Sequence, residues 1–219
     1  MNVQIVWEQY KTVQDSFPNL VLTFEGNKYF IRGELHFIAQ FMEVPTEEAF
    51  LIELELPITY PHSLPIVREL EERIPDGFHK FIDGTLCLGA PLAMKITFSN
   101  DPTLLGFINK LIIPYLYSFS YYKRNNREFP YGELSHNAKG LLEYYMELFQ
   151  VCSLDKVLHI LYHLSIKKIR GHLPCPCGND LRTRNCHGTM LLGLYEHQDT
   201  FEFKKDFTYC LQYIKGELN

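Results

Sequence analysis

The chain has 219 residues, with 21 Lys+Arg against 26 Asp+Glu for a formal charge of −5, and 46% hydrophobic and 14% aromatic residues. That length suits one ordinary domain with a small appendage, or two small domains, and the apolar content excludes a disordered chain. The acidic balance argues against a protein that lives on phosphate backbones, so no nucleic-acid partner is expected.

Met1–Gln14 lacks the basic start and apolar run of a signal peptide. No stretch approaches the roughly 20 apolar residues that cross a bilayer. The nearest, Leu104–Phe119, is broken by Asn109, Lys110 and Pro114. A cytoplasmic protein without a membrane partner is the expectation. Its cysteines, Cys87, Cys152, Cys175, Cys177, Cys186 and Cys210, then read as thiols or metal ligands and not as a disulfide frame.

Val3, Val6, Tyr10 and Val13 recur at helical spacing and predict an opening amphipathic helix that Phe17-Pro18-Asn19 ends. Leu20, Leu22 and Phe24 then alternate with Val21, Thr23 and Glu25 as a strand, and Glu25-Gly26-Asn27 supplies a turn. From Tyr29 the residues Tyr29, Ile31, Leu35, Phe37 and Ala39 share one parity, with Arg32, Glu34 and His36 on the other. Phe50, Ile52, Leu54 and Leu56 repeat the pattern against Leu51, Glu53 and Glu55, so three half-buried strands make an antiparallel meander. Pro57, Pro61 and Pro65 stop regular pairing, and Ile66–Leu70 predicts a last short strand.

Further on, Asp101-Pro102 reads as a helix start, the acid as N-cap and the proline at the first helical position. Thr103–Tyr122 is apolar nearly all round, a mostly buried helix that Pro114 kinks or splits. Its tyrosines Tyr115, Tyr117, Tyr121 and Tyr122 read as helix core or a docking face. Ser135 and Ser153 are candidate caps for helices carrying Ala138, Leu141, Leu142, Tyr145 and Leu148, and Leu154, Val157, Leu158, Leu161 and Leu164. Phe201, Phe203, Phe207, Tyr209 and Leu211 predict a final packed element, helix or strand, and Cys152 and Cys210 read as core thiols. The fold class is α+β.

Between the meander and the buried helix lies Gly77-Phe78-His79-Lys80-Phe81-Ile82-Asp83-Gly84-Thr85-Leu86-Cys87-Leu88-Gly89, one cysteine behind an Asp-Gly turn. This segment, after the Tyr60-Pro61 turn, resembles the active-site segment of ubiquitin-conjugating enzymes, where the nucleophile follows an (Asn/Asp)-Gly-x-(Leu/Ile)-Cys-Leu string. The order helix, meander, cysteine segment, helix extends the resemblance over roughly residues 1–150. It implies a ubiquitin-conjugating-like domain over 1–150, with 151–219 as a helical extension. His79, eight residues before Cys87, falls where the family's His-Pro-Asn tripeptide has its asparagine, and here the tripeptide is Gly77-Phe78-His79. Leu88-Gly89-Ala90-Pro91 also departs from the eukaryotic pattern of an acid and a later tryptophan, and the only tryptophan is Trp7.

These departures point to the divergent, bacterial-type relatives, some of them in anti-phage defence. The resemblance implies a thioester carrier at Cys87 that transfers a ubiquitin-like protein or protein C-terminus to a target amine. It also implies an activating enzyme or a reactive donor upstream, and a protein target such as a nucleotidyltransferase of a defence operon. Cysteine suits both half-reactions, because the thiolate is at once a good nucleophile and a good leaving group. His79 is then the candidate oxyanion donor, loop-ordering residue or base, and Asp83 a candidate to orient the amine, although its turn position alone explains it. No Gly-rich phosphate-cradling motif is present, so activation must come from elsewhere.

Two other readings stay open. A lone cysteine between leucines is commonly a packed core thiol, which would leave a non-catalytic adaptor of the same fold; a cysteine hydrolase using Cys87 and His79 lacks an identifiable third group. Tyr131-Gly-Glu-Leu-Ser-His136 looks like a motif, yet neither Glu133 nor His136 acquires a role.

Near the C-terminus, Cys175-Pro-Cys177 and, after eight intervening residues, the pair Cys186-His187 supply the four ligands of a tetrahedral metal site. The spacing and the flanking Pro176 and Gly178 resemble the SEC-C motif at the tail of the bacterial preprotein-translocase ATPase, with Asn179-Asp180 replacing its usual Ser-Gly. A knuckle over 172–190 holding one zinc ion is expected. With all four positions taken by protein, that zinc is structural. Arg182 and Arg184 project from it, as a docking surface or simply as solvated charges.

Overall fold

The computed structural model describes residues 3–41, 44–129, 135 and 137–217. The chain divides into two compact units, Met1–Glu133 and Leu134–Asn219.

In the first unit, helix α1 (Val3–Ser16) buries Val6, Tyr10 and Val13 of the stripe its spacing predicts, while Val3 at its start is exposed. Strands β1 (Leu20–Glu25), β2 (Lys28–Phe41), β3 (Val44–Leu56) and β4 (Ile66–Glu69) follow as an antiparallel sheet in sequential order. Glu25 pairs with Lys28 across a two-residue loop in which Gly26 and Asn27 have φ of 55° and 66°. That is the primed turn whose twist matches the flanking strands. Ile31, Leu35, Phe37, Phe50, Ile52, Leu54, Leu56 and Val67 form the buried face. On the opposite face Arg32 bridges Glu25 (2.5 Å) and Glu53 (2.7 Å), and Arg68 reaches Glu53 and Glu55 (both 3.2 Å).

The alternation fades at the end of β1, where Phe24 is exposed because the hairpin runs beyond the core. Gly33 has φ 144° and faces the chain entering β1, and an added Cβ there would lie 1.9 Å from the Asn19 carbonyl oxygen. Only glycine allows so close an approach.

Past the cysteine segment comes helix α2 (Pro91–Ser99), which opens on its proline and buries Leu92 and Phe98. The long helix then runs as α3 (Leu104–Phe107), a single π-type turn (Ile108–Ile112) and α4 (Ile113–Arg124). Its N-cap is Thr103, whose hydroxyl accepts from the Gly106 N–H at 2.9 Å, and not Asp101. Asp101 instead accepts the Thr103 hydroxyl (2.9 Å) and pairs with Lys110 (3.3 Å), bracing the cap from outside. Pro114 neither ends nor splits the helix. The widened turn just before it, in which the Ile113 N–H reaches the Ile108 carbonyl, absorbs a residue that has no N–H and whose ring would crowd the preceding turn.

The second unit is helical. It contains α5 (Asn137–Leu148), α6 (Leu154–Ser165), the short α7 (Gly188–Gly193) and α8 (Thr200–Ile214). α6 and α8 pack together over Val157, Ile160, Leu161, Leu164, Phe203 and Cys210. Asp199 and Glu202 close a capping box at the start of α8. In this core the Tyr145 hydroxyl (2.6 Å) and the Gln198 amide (2.6 Å) both donate to the Asp206 carboxylate.

Two expectations change here. The last element is a helix whose inward residues are Phe203 and Cys210, while Phe201 and Tyr209 face outward, since a helix turns 100° per residue and cannot bury every aromatic of the run. Cys152, just after α5, is exposed, and among these two only Cys210 is core. No helix among the described residues is long and apolar enough to cross a membrane. Glu133 and His136 lie outside the described residues.

Candidate functional site

The segment around Cys87 is a small hairpin laid on the edge of β4. The Leu86 N–H donates to the Val67 carbonyl (2.8 Å), and Lys80 pairs with Leu86. At its tip the Phe81 and Thr85 main chains bond (2.8 Å), Gly84 takes φ 79°, and Asp83 accepts both the Thr85 N–H (3.0 Å) and its hydroxyl (2.6 Å). Those bonds, the hydroxyl first, hold the Asp83 carboxyl below the usual carboxylate range. Asp83 is thus occupied as a turn cap at the exposed tip.

The hairpin brings residues eight apart in sequence side by side: the Cys87 N–H donates to the His79 carbonyl at 2.7 Å. His79 has φ 39°, a left-handed backbone uncommon outside glycine. Its ring stands edge-on to Phe78 (centroids 5.6 Å) and Phe129 (6.2 Å), and Phe78 stacks on Phe129 and meets Tyr115, Phe119 and Tyr122 of α4. The Cys87 thiol is half-buried. Burial pushes it up from the ordinary thiol value, and the nearby Gly89 main chain pulls in the opposite direction without cancelling the rise. A neutral thiol at pH 7 follows.

Two supporting residues escape the sequence reading. Tyr115, read there as core or docking face, is 8% exposed and directs its hydroxyl to the Phe78 (3.0 Å) and His79 (3.1 Å) carbonyls. Gln9 of α1 accepts the Tyr60 hydroxyl and the Leu104 N–H (3.0 Å) and donates to the Pro102 carbonyl (3.2 Å), tying the Tyr60–Pro61 turn to the start of α3. Neither contact has a local motif.

In the second unit, Cys175, Cys177, Cys186 and His187 converge, with their ligand atoms all within 4.8 Å of one another. The Cys175 and Cys186 sulfurs lie 3.3 and 3.1 Å from His187 Nδ1, and the Cys177 and Cys186 sulfurs are 3.6 Å apart. Metal–sulfur bonds of about 2.3 Å and metal–nitrogen bonds of about 2.0 Å place tetrahedral ligand atoms about 3.5–3.8 Å apart, so the cluster is of the right size for one ion. His187 Nε2 donates to the Phe149 carbonyl at 2.9 Å, which leaves Nδ1 as the ligating nitrogen.

The knuckle is held by its own small ladder. Cys175 N–H bonds the Leu181 carbonyl (2.9 Å), Thr183 N–H the Leu173 carbonyl (2.8 Å), and Gly178 (φ 77°) closes the turn onto Cys175 (3.0 Å). His159 of α6 fastens the far side through Pro176 O at 2.7 Å. Arg182 and Arg184 are exposed on the knuckle's surface.

No family model matches the chain, and neither a curated protein nor a solved structure does.

Proposed function

We propose that the chain is a cysteine acyl carrier of ubiquitin-conjugating type, with Cys87 as nucleophile. The observation that carries this reading is the hairpin after a four-stranded meander that ties the Cys87 amide to the His79 main chain in front of the aromatic end of α4. The Cys87 thiolate attacks the acyl carbon of a donor thioester, the new carbon–sulfur bond forms, and the donor thiolate leaves. A target amine then attacks the Cys87 thioester, the Cys87 thiolate departs, and the amine proton passes to a base. His79 is the side chain we assign beside that chemistry, as donor to the developing oxyanion or as the base. Asp83 holds the turn that presents Cys87.

Burial keeps the free thiol protonated near neutrality, so activation accompanies docking of the donor and idle oxidation is limited. The donor is a ubiquitin-like protein or protein C-terminus, delivered by an activating enzyme, and the acceptor a protein, in a setting such as anti-phage defence with a nucleotidyltransferase target. Cys175, Cys177, Cys186 and His187 would hold one zinc ion, which supplies structure by cross-linking the knuckle and leaves no open position for substrate.

Incubation with donor and activating enzyme should give a heavier species that thiol reductant collapses. Cys87→Ala should abolish it, and Cys152→Ala should not. An adduct that survives Cys87→Ala would sink the assignment. The same burial also favours a second reading, a non-catalytic adaptor in which Cys87 is packing and the exposed Arg182 and Arg184 of the knuckle meet a partner; partner binding undiminished in Cys87→Ala, with no adduct under any pairing, would establish it.

A further inference from the structure

The carbonyl of His79 is the meeting point of two donors from distant parts of the first unit. One is the Cys87 N–H, at 2.7 Å. The other is the Tyr115 hydroxyl, which is shared as a three-centre bond between His79 O (3.1 Å) and Phe78 O (3.0 Å). Between them His79 is kept at φ 39°, a conformation that costs a histidine on the order of 1–3 kcal/mol unless its surroundings enforce it. Phe78, packed on Tyr115, Phe119, Tyr122 and Phe129, anchors the position just before His79, but its ring offers no polar group to the carbonyl. The phenol is therefore the one side chain among these that enforces the backbone directly. It lies close enough to the cysteine for a thiolate charge at Cys87, after burial itself, to hold the phenol's proton on more tightly, with Glu69 adding a smaller push.

We propose that Tyr115 is a positioning residue: its buried hydroxyl holds the His79 main chain in the left-handed conformation that receives the Cys87 amide, and thereby sets the position and solvation of the thiol. The inference rests on the reading of Cys87 as the reacting group only for its functional meaning. The physical linkage is testable without any donor. Removing the hydroxyl takes this donor from the Phe78 carbonyl and leaves the His79 carbonyl with the Cys87 N–H alone, so the loop relaxes toward ordinary φ and the thiol becomes better solvated.

The test is alkylation of Cys87 by iodoacetamide across pH 6–10, followed on the Cys87 peptide by mass spectrometry in the full chain. Tyr115→Phe should speed labelling at pH 8 at least threefold and move the midpoint to lower pH, with labelling of Cys152 unchanged as an internal reference. His79→Gly, which tolerates positive φ without help, should make the loop indifferent to the phenol: Tyr115→Phe added to His79→Gly should change the rate less than twofold. Tyr117→Phe, a buried tyrosine on the same helix, should leave Cys87 labelling as in the parent chain. An unshifted midpoint in Tyr115→Phe, an equal acceleration at Cys152, or the same effect from Tyr117→Phe would each overturn the proposal. Absence of a thioester in the parent chain would strike only the carrier function and leave this linkage standing.

Discussion

A methyl group at Gly33 would fall 1.9 Å from a carbonyl oxygen, on a backbone whose φ of 144° already disfavours any side chain. Gly33→Ala should therefore cost about 2–4 kcal/mol, read as a lower urea midpoint. At Gly193 an added Cβ meets nothing within 4 Å, and Gly193→Ala at the end of α7 should be neutral or stabilising by up to about 1 kcal/mol. Cys210 makes the corresponding electrostatic point. Burial, aided by Asp206, pushes its thiol up to about 12, above the roughly 8.5 of an unfolded thiol. A raised folded value means the folded chain keeps the proton that the unfolded chain gives up. That contribution is complete below about pH 8.5 and is lost as pH climbs toward 12, with a slope of about 1.4 kcal/mol per pH unit. Urea unfolding at pH 7.5, 9 and 10 should show this decline, and Cys210→Ala should flatten it.

Elements end where side chains can reach backbone donors, and this determines what pattern reading can recover. The parity of β2 and β3 is legible because each strand has one wet face, so Ile31, Leu35, Phe50 and Leu54 announce the core directly. The stripe of α1 is legible for the same reason. The start of α3 is not: Asp101-Pro102 satisfies every local preference, yet Thr103 makes the cap because it stands three residues before the Gly106 N–H. α2 is missed because its moment is weak, although Pro91 in its first turn marks it. The box at α8, Asp199 with Glu202, is a local signal that the structure uses. Asp199→Ala should lower stability by about 1 kcal/mol, and thermal melting of the full chain would register it.

At the scale of the whole chain, the two candidate sites differ in how far apart their parts lie. All four candidate metal ligands fall within 13 residues, so spacing alone points to them. The cysteine site draws on β4, the hairpin and α4, and a contact such as Tyr115 to His79 crosses 36 positions with no periodic trace. Chelation provides a separate check on the second unit. Because His187 joins the cluster to the Phe149 carbonyl just past α5, removing bound metal should raise amide exchange in α5, α6 and the knuckle while strands β2 and β3 stay protected. Equal exchange with and without chelator would deny the cluster a metal.

The widened turn at Ile108–Ile112 also acts as a phase setter. Each residue of helix is worth about 100° of rotation. The turn takes up one residue beyond regular winding, so losing one residue there would restore regular winding with the downstream phase kept, whereas losing a second would swing the Tyr115 phenol about 100° away from the His79 carbonyl. Insertions and deletions in surface loops of this chain should be absorbed locally. A two-residue deletion in this turn would instead register at the cysteine hairpin, a distant element that shares no sequence with it.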